Sequence, residues 1–154
     1  MSSRYTVETN GDIALSAATA KTIMNAINGS NSVTRLIELG VFADGTTANA
    51  EPLTIELCKS TQAGAGSNTG HTMAQSGGPT RTAQGTAARN YTAEPTVLTV
   101  IKRWLIHPAG GGLLLQGPQG REIAEQIASA QGLAVRCTAP AGVNVQGYME
   151  VEEG

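Results

Sequence analysis

Two histidines, two cysteines and twelve carboxylates are the groups of this 154-residue chain that could do chemistry. His107 draws the eye first, because it sits in "WLIHPAGGGLLLQGPQGRE" beside a glycine run that could wrap a phosphate. A catalytic histidine needs a partner within hydrogen-bond reach that orients it or takes its proton. No carboxylate follows His107 before Glu122. The run Gly110, Gly111, Gly112 has no Gly-Lys-Ser/Thr and does not stand between a strand and a helix, as a phosphate loop would. The stretch therefore reads as a chain reversal, followed by a second turn at Gln116-Gly117-Pro118.

The other candidates fall in the same way. "AGAGSNTGHT" (63–72) superficially resembles a nucleotide loop, but it has no lysine and no Gly-x-Ser-x-Gly elbow. Cys58, His71, His107 and Cys137 show none of the paired spacings of a metal site. Glu150 and Glu152 lie two apart on one strand face, as an acid pair or as a solvated edge that discourages strand pairing. No catalytic, cofactor-binding or metal constellation emerges, and the expectation is a protein that is not an enzyme.

Composition agrees with an adhesive β domain. The chain is 40% hydrophobic and 14% charged, with 19 glycines and 3% aromatics, a mix that suits short strands joined by tight turns. Net charge is −2 and the basic residues are scattered, so the electrostatic footprint of a nucleic-acid binder is missing. No apolar run approaches the roughly 20 residues that span a bilayer. "MSSRYTVETNGD" lacks the apolar centre of a signal peptide, which predicts synthesis in a reducing cytoplasm and two buried thiols rather than a disulfide.

Period-2 alternation predicts the strands. In 132–154, Leu133, Val135 and Cys137, then Val143, Val145, Met149 and Val151, face one way around an "APAG" turn, which reads as a hairpin. Gly147 interrupts that row as a bulge or a point of close packing. Ile37, Leu39 and Val41 form a second row; Leu53, Ile55 and Leu57 form a third, with Cys58 on the face opposite. "RYTVE" is a short strand. "TVLTVIKRWLIHP" is apolar on both faces, so it is central or meets another subunit. Segments 16–28 and 121–131 fit a strand or a short helix, with Gly132 as a C-cap for the second. Residues 62–95 form a long polar loop with one or two weak strands near "GHTMAQ" and "RTAQG". The expected architecture is a single all-β domain over 1–154: an antiparallel, jelly-roll-like β-sandwich of about eight strands, with room for one short helix.

Three stretches together resemble a group of small virion proteins of tailed bacteriophages. They are "LIELGVFADGTTANAEPLTIEL" (36–57), "TAEPTVLTVIKRWLIHPAGG" (92–111) and "GLAVRCTAPAGVNVQGYMEVEE" (132–153). "REIAEQIASAQG" and the alanine-rich "AATAKTIMNAIN" depart from that pattern. The resemblance implies a capsid decoration or cement protein that is made in the bacterial host and sits on the virion surface. It implies a homotrimer that binds the major capsid protein and bridges its subunits. Trp104, Val100 and Ile106 would then form a subunit interface, with Trp104 either its anchor or an ordinary core residue. Arg4 and Tyr5 would belong to an N-terminal arm that reaches the capsid. A rival reading is a glycan-binding or tail-associated sandwich, for which one Trp, three Tyr and one Phe offer little to build a platform.

Overall fold

The computed structural model describes residues 2–61, 66–118 and 120–154. Among them there is no helix, and thirteen strands account for the secondary structure. These are β1 (Ser3–Glu8), β2 (Ile13–Leu15), β3 (Lys21–Ile27), β4 (Thr34–Ala43), β5 (Leu53–Thr61), β6 (Ser67–His71) and β7 (Ala74–Gly77). They continue with β8 (Thr86–Ala93), β9 (Val97–Ile106), β10 (Gly112–Gln116), β11 (Ala124–Gln126), β12 (Gln131–Thr138) and β13 (Val143–Glu153). One sheet runs β10-β4-β13-β1-β7, with β11 also beside β4 and β2 also beside β13; the other runs β6-β8-β3-β12-β5-β9. Every named pairing is antiparallel.

The two sheets face each other as a sandwich. Val7, Leu39, Val41, Val145, Met149 and Val151 come from one sheet and Ile23, Ile55, Leu57, Leu133, Val135 and Cys137 from the other, all in one buried cluster. The inward rows of β5, β12 and β13 are those that alternation predicts. Gly147 lies on the inward row because the sheets approach there: a Cβ would stand 3.0 Å from the Gly40 carbonyl oxygen and 3.1 Å from Met24 Cε.

The expected hairpin at "APAG" does not form. β12 belongs to the six-stranded sheet and β13 is a central strand of the seven-stranded one, so residues 139–142 turn a corner between sheets. Glu150 and Glu152 therefore stand mid-sheet rather than on a free edge. Glu150 meets Arg4 at 3.9 Å and accepts from Ser76 Oγ at 2.7 Å, and Glu152 meets Arg35 at 4.0 Å. The β4 row is also corrected. A register shift opposite Glu150 and Val151 inserts Ile37 as an extra residue, so Leu36 takes the inward place expected of it.

Neither segment left between strand and helix is helical: 16–28 carries β3, and 121–131 carries the three-residue β11 and a turn at 128–130. Gly132 is not a helix cap but part of β12, where a Cβ would stand 2.3 Å from Asn25 Oδ1. The polar stretch 62–95, whose residues 62–65 lie outside those described, carries strands where "GHTMAQ" was expected to hold one (β6 and β7) and none at "RTAQG" (81–85), and it ends in the full strand β8.

β8 and β9 lie four places apart in their sheet, so the chain between them crosses the sheet's outer face. It buries a second, polar layer there. Tyr91 Oη accepts from Asn25 Nδ2 at 3.1 Å, Ser60 Oγ donates to Asn25 Oδ1 at 3.2 Å, and Glu94 accepts from the Thr22 N–H at 2.7 Å. Cys58 lies under this cover, facing away from Cys137 in the core, so the two thiols occupy opposite faces of one sheet.

Candidate interaction surface

The histidine stretch is a turn. His107 is exposed, its Nδ1 accepts the Ala109 N–H at 3.0 Å, and its carbonyl accepts the Gly111 N–H at 3.0 Å. A Cβ on Gly111 would lie 2.0 Å from that carbonyl oxygen, which explains the glycine. The turn carries the chain from β9, at the edge of one sheet, to β10, at the edge of the other. Beside it, residues including Gly45, Thr47, Pro108, Pro140 and Val143 line an open cavity of about 360 Å³ whose one titratable side chain is Glu51. No group of three or more His, Cys, Asp or Glu could hold a metal ion among the described residues.

β9 and β10 together form one flank of the sandwich, and this flank exposes large apolar side chains beside Lys102 and Arg103. Leu105 is 68% exposed on β9 and Leu114 is 56% exposed on β10, with Ile101 exposed between Val100 and Lys102. Leu105 stands on the outer side of the six-stranded sheet and Leu114 on that of the seven-stranded sheet. Between them, half-buried Trp104, Leu113 and Leu115 reach inward and pack against the core. Ile127, 70% exposed, follows β11 on the same side of β4. The opposite flank, β6 and β7, is short, polar and glycine-containing.

The two free edges differ in how they resist strand addition. β9 carries Lys102 and Arg103 and a register shift that pushes out Ile101, the charge-and-bulge protection that edges commonly use. β10, Gly-Leu-Leu-Leu-Gln, is uncharged, free of proline and in unbroken register with β4. A regular, apolar, unprotected edge is a template for pairing.

The residues expected at a subunit interface do not share one face. Trp104 and Ile106 stand opposite Ile55 and Leu53 on the inward row, and Ile106 is buried in the core. Val100 stands opposite Cys58 on the outer side, because the shift at Ile101 reverses the alternation. β9 is an edge strand rather than a central one. The N-terminus is not a detached arm: Arg4 and Tyr5 lie in β1 between β13 and β7, Tyr5 is buried, and its hydroxyl donates to the Arg81 carbonyl at 2.9 Å.

Sequence reasoning missed Leu105, Leu114 and β10 itself. Three leucines between the turns read at Gly110–Gly112 and Gln116–Pro118 were the available signal, and they were left without an element. A second grouping, on the outer face of the seven-stranded sheet, joins Phe42, Tyr148 and Glu38. The Tyr148 hydroxyl donates to Glu38 Oε1, and Gln116 Nε2 donates to Glu38 Oε2 at 2.6 Å. These bonds hold the Glu38 carboxyl below its ordinary value and push the Tyr148 phenol up to about 12. No protein-family model matches the chain, and no curated protein matches it.

Proposed function

We propose that the chain is a structural protein of a phage virion, a homotrimer that binds the outside of the assembled head and bridges major capsid subunits. The observation that carries the self-association is the flank of β9 and β10. It exposes Ile101 and Leu105 on β9 and Leu114 on the unprotected edge strand β10, a combination that calls for a covering partner. A second copy is the occupant, since one trimer presents the same flank three times. Threefold closure makes each contact heterologous, so the flank of one copy meets a different surface of the next. The three stretches that resemble phage decoration proteins support placing this assembly on a capsid. A trimer on a shell gains from avidity, because three weak contacts on one rigid body act as one strong contact. Binding only the assembled shell stabilises it by mass action.

Light scattering and co-sedimentation with purified heads test the two parts separately. The expected results are a trimer mass and saturable pelleting with heads. A monomer at every concentration overturns the self-association, and a trimer that stays in the supernatant overturns the capsid role.

A further inference from the structure

We propose that the outer face of the seven-stranded sheet, around Phe42 and Tyr148, is a binding site for a neutral saccharide. This reaches beyond the assembly reading and rests on different residues. Leu114 of β10 stands on this same face at its edge, so a copy covering the flank borders the site, while Phe42 and Tyr148 lie on the interior strands β4 and β13.

Two of the five aromatic residues of the chain meet here, side by side on adjacent strands. Phe42 lies opposite Gln146 and Gly40 lies opposite Tyr148, which makes the two rings diagonal neighbours, about 7–8 Å apart in backbone position. Glycines form the floor beneath them. A Cβ on Gly40 would stand 2.5 Å from Tyr148 Cε1 and 3.1 Å from Phe42 Cε2, and a Cβ on Gly112 would stand 2.4 Å from Phe42 Cδ1. The rings therefore lie down over the backbone instead of standing up from it, and Phe42 remains 44% exposed. An aromatic ring held flat against a sheet presents its electron-rich face outward, and the C–H face of a pyranose is the complementary surface.

The rim supplies the other half of sugar chemistry. Gln146 Nε2 donates to Asp12 Oδ1 at 2.6 Å, and Gln116 Nε2 donates to Glu38 at 2.6 Å. Each amide–carboxylate pair offers both donors and acceptors beside a ring. A sugar hydroxyl both donates and accepts, so it can bridge such a pair. Charge decides which sugar. Glu8 stands opposite Tyr148, Glu150 stands opposite Glu38, and Asp12 and Glu38 complete an acidic surround. The arginines of this face, Arg4 and Arg35, are already ion-paired to Glu150 and to Glu125 and Glu152. That field repels sialylated, sulfated and phosphorylated ligands and leaves neutral hexose and N-acetylhexosamine chains. The same field would attract a basic peptide, but a peptide needs no flat ring face, so the stacking surface of Phe42 and Tyr148 favours the sugar.

Isothermal titration of the full chain with maltohexaose, cellohexaose and chitohexaose, against sialyllactose, a heparin fragment and a lysine-rich peptide, tests the site. At least one neutral oligosaccharide is expected to bind. Phe42→Ala should weaken it about tenfold or more, the loss of one stacking contact. Gln146→Ala should weaken it less, with both variants melting like the wild type. Absence of binding by all three neutral oligosaccharides at millimolar concentration overturns the proposal. So does binding that survives both substitutions, or preferential binding of the anionic sugars or the basic peptide. Trimer formation by Phe42→Ala is expected to be normal, which separates this result from the assembly reading.

Discussion

Arg136 reaches across the β12–β5 ladder to one oxygen of Glu56 at 2.6 Å, while Arg103 reaches from β9 to the other oxygen at 2.7 Å. Glu56 is thus the middle of a charge row perpendicular to three strands, and it is nearly buried under the chain crossing that face. Burial raises its pKa, but the hydrogen bonds and charges of Arg103 and Arg136 outweigh burial and hold the carboxyl below its ordinary 4.5. A depressed carboxylate stabilises the fold above its unfolded pKa, and the contribution is lost as pH falls through the folded value. Glu56→Gln should cost about 1–3 kcal/mol at neutral pH, because it strips the partly buried Arg136 of its counter-charge. Arg103→Ala should cost under about 1 kcal/mol, since Arg103 is mostly exposed. Urea melts at neutral pH check the order. Repeated below pH 4.5, they should show the wild type converging on Glu56→Gln.

Tyr148 and Glu38 give the opposite sign at the other end of the scale. The hydrogen bond to Glu38 is the main cause that pushes the phenol from 10.0 to about 12. A phenol raised in the folded state holds its proton after the unfolded chain has lost it. Its contribution is complete below about pH 10 and disappears between 10 and 12. Stability of the wild type should fall through that window more steeply than that of Tyr148→Phe. Denaturant melts stepped from pH 9 to 12 read the difference, and equal slopes for the two proteins would contradict the bond.

The fold was legible where one strand face meets the core and the other meets water. Val145, Met149 and Val151 alternate cleanly with Gln146, Tyr148 and Glu150, and their inward row is correct. Alternation reports a face, not a neighbour. The Pro-Gly signal at 140–142 therefore looked like a hairpin although it turns a corner between sheets. β3 was ambiguous for a different reason: Ile23, Met24, Asn25 and Ala26 are all buried, because the chain from β8 to β9 covers the outer face, and burial on both sides erases the alternation. Alanine content then suggested helix, and tertiary packing overrode it. The surface residues were least legible. Phe42 and Tyr148 are 106 positions apart, and only the β4–β13 register brings them together.

Gly132 turns that lesson into a measurement. A helix C-cap glycine tolerates alanine at a modest cost, but in β12 a Cβ would stand 2.3 Å from Asn25 Oδ1, 2.7 Å from Ser60 Oγ and 2.8 Å from the Ala26 carbonyl oxygen. The polar layer of Asn25, Ser60 and Tyr91 would have to open to admit it. Gly132→Ala should destabilise the protein by about 1–3 kcal/mol through overpacking. Thermal melts of Gly132→Ala and of Gly70→Ala, where a Cβ meets nothing within 4 Å, give the comparison; equal melting temperatures would count against the packing described.

The thiols should be inert while the chain is folded. Burial pushes Cys58 up to about 11 and raises Cys137 further, so neither is a thiolate near neutrality. They face opposite sides of the sheet and cannot pair without breaking it. A disulfide-exchange reagent at pH 8 should label neither in the native protein and both in denaturant. Rapid labelling of Cys58 alone would mean that the cover from β8 to β9 opens readily.

The flank of β9 and β10 makes the sharpest demand on the assembly proposal. Leu105 is 68% exposed in the isolated chain. Leu105→Lys should therefore leave the melting free energy within about 0.5 kcal/mol, as expected for a surface substitution, while placing a charge in the middle of an apolar contact. Self-association should weaken by at least about tenfold. Asn68→Lys, at an exposed position of the polar strand β6 on the opposite flank, should change neither quantity. Half-buried Trp104 lies beside Leu105 and supplies a direct signal. If copies cover this flank, its fluorescence shifts to the blue as concentration rises in the wild type and in Asn68→Lys, but not in Leu105→Lys. A concentration-independent spectrum together with an undiminished oligomer in Leu105→Lys would move the interface to another surface.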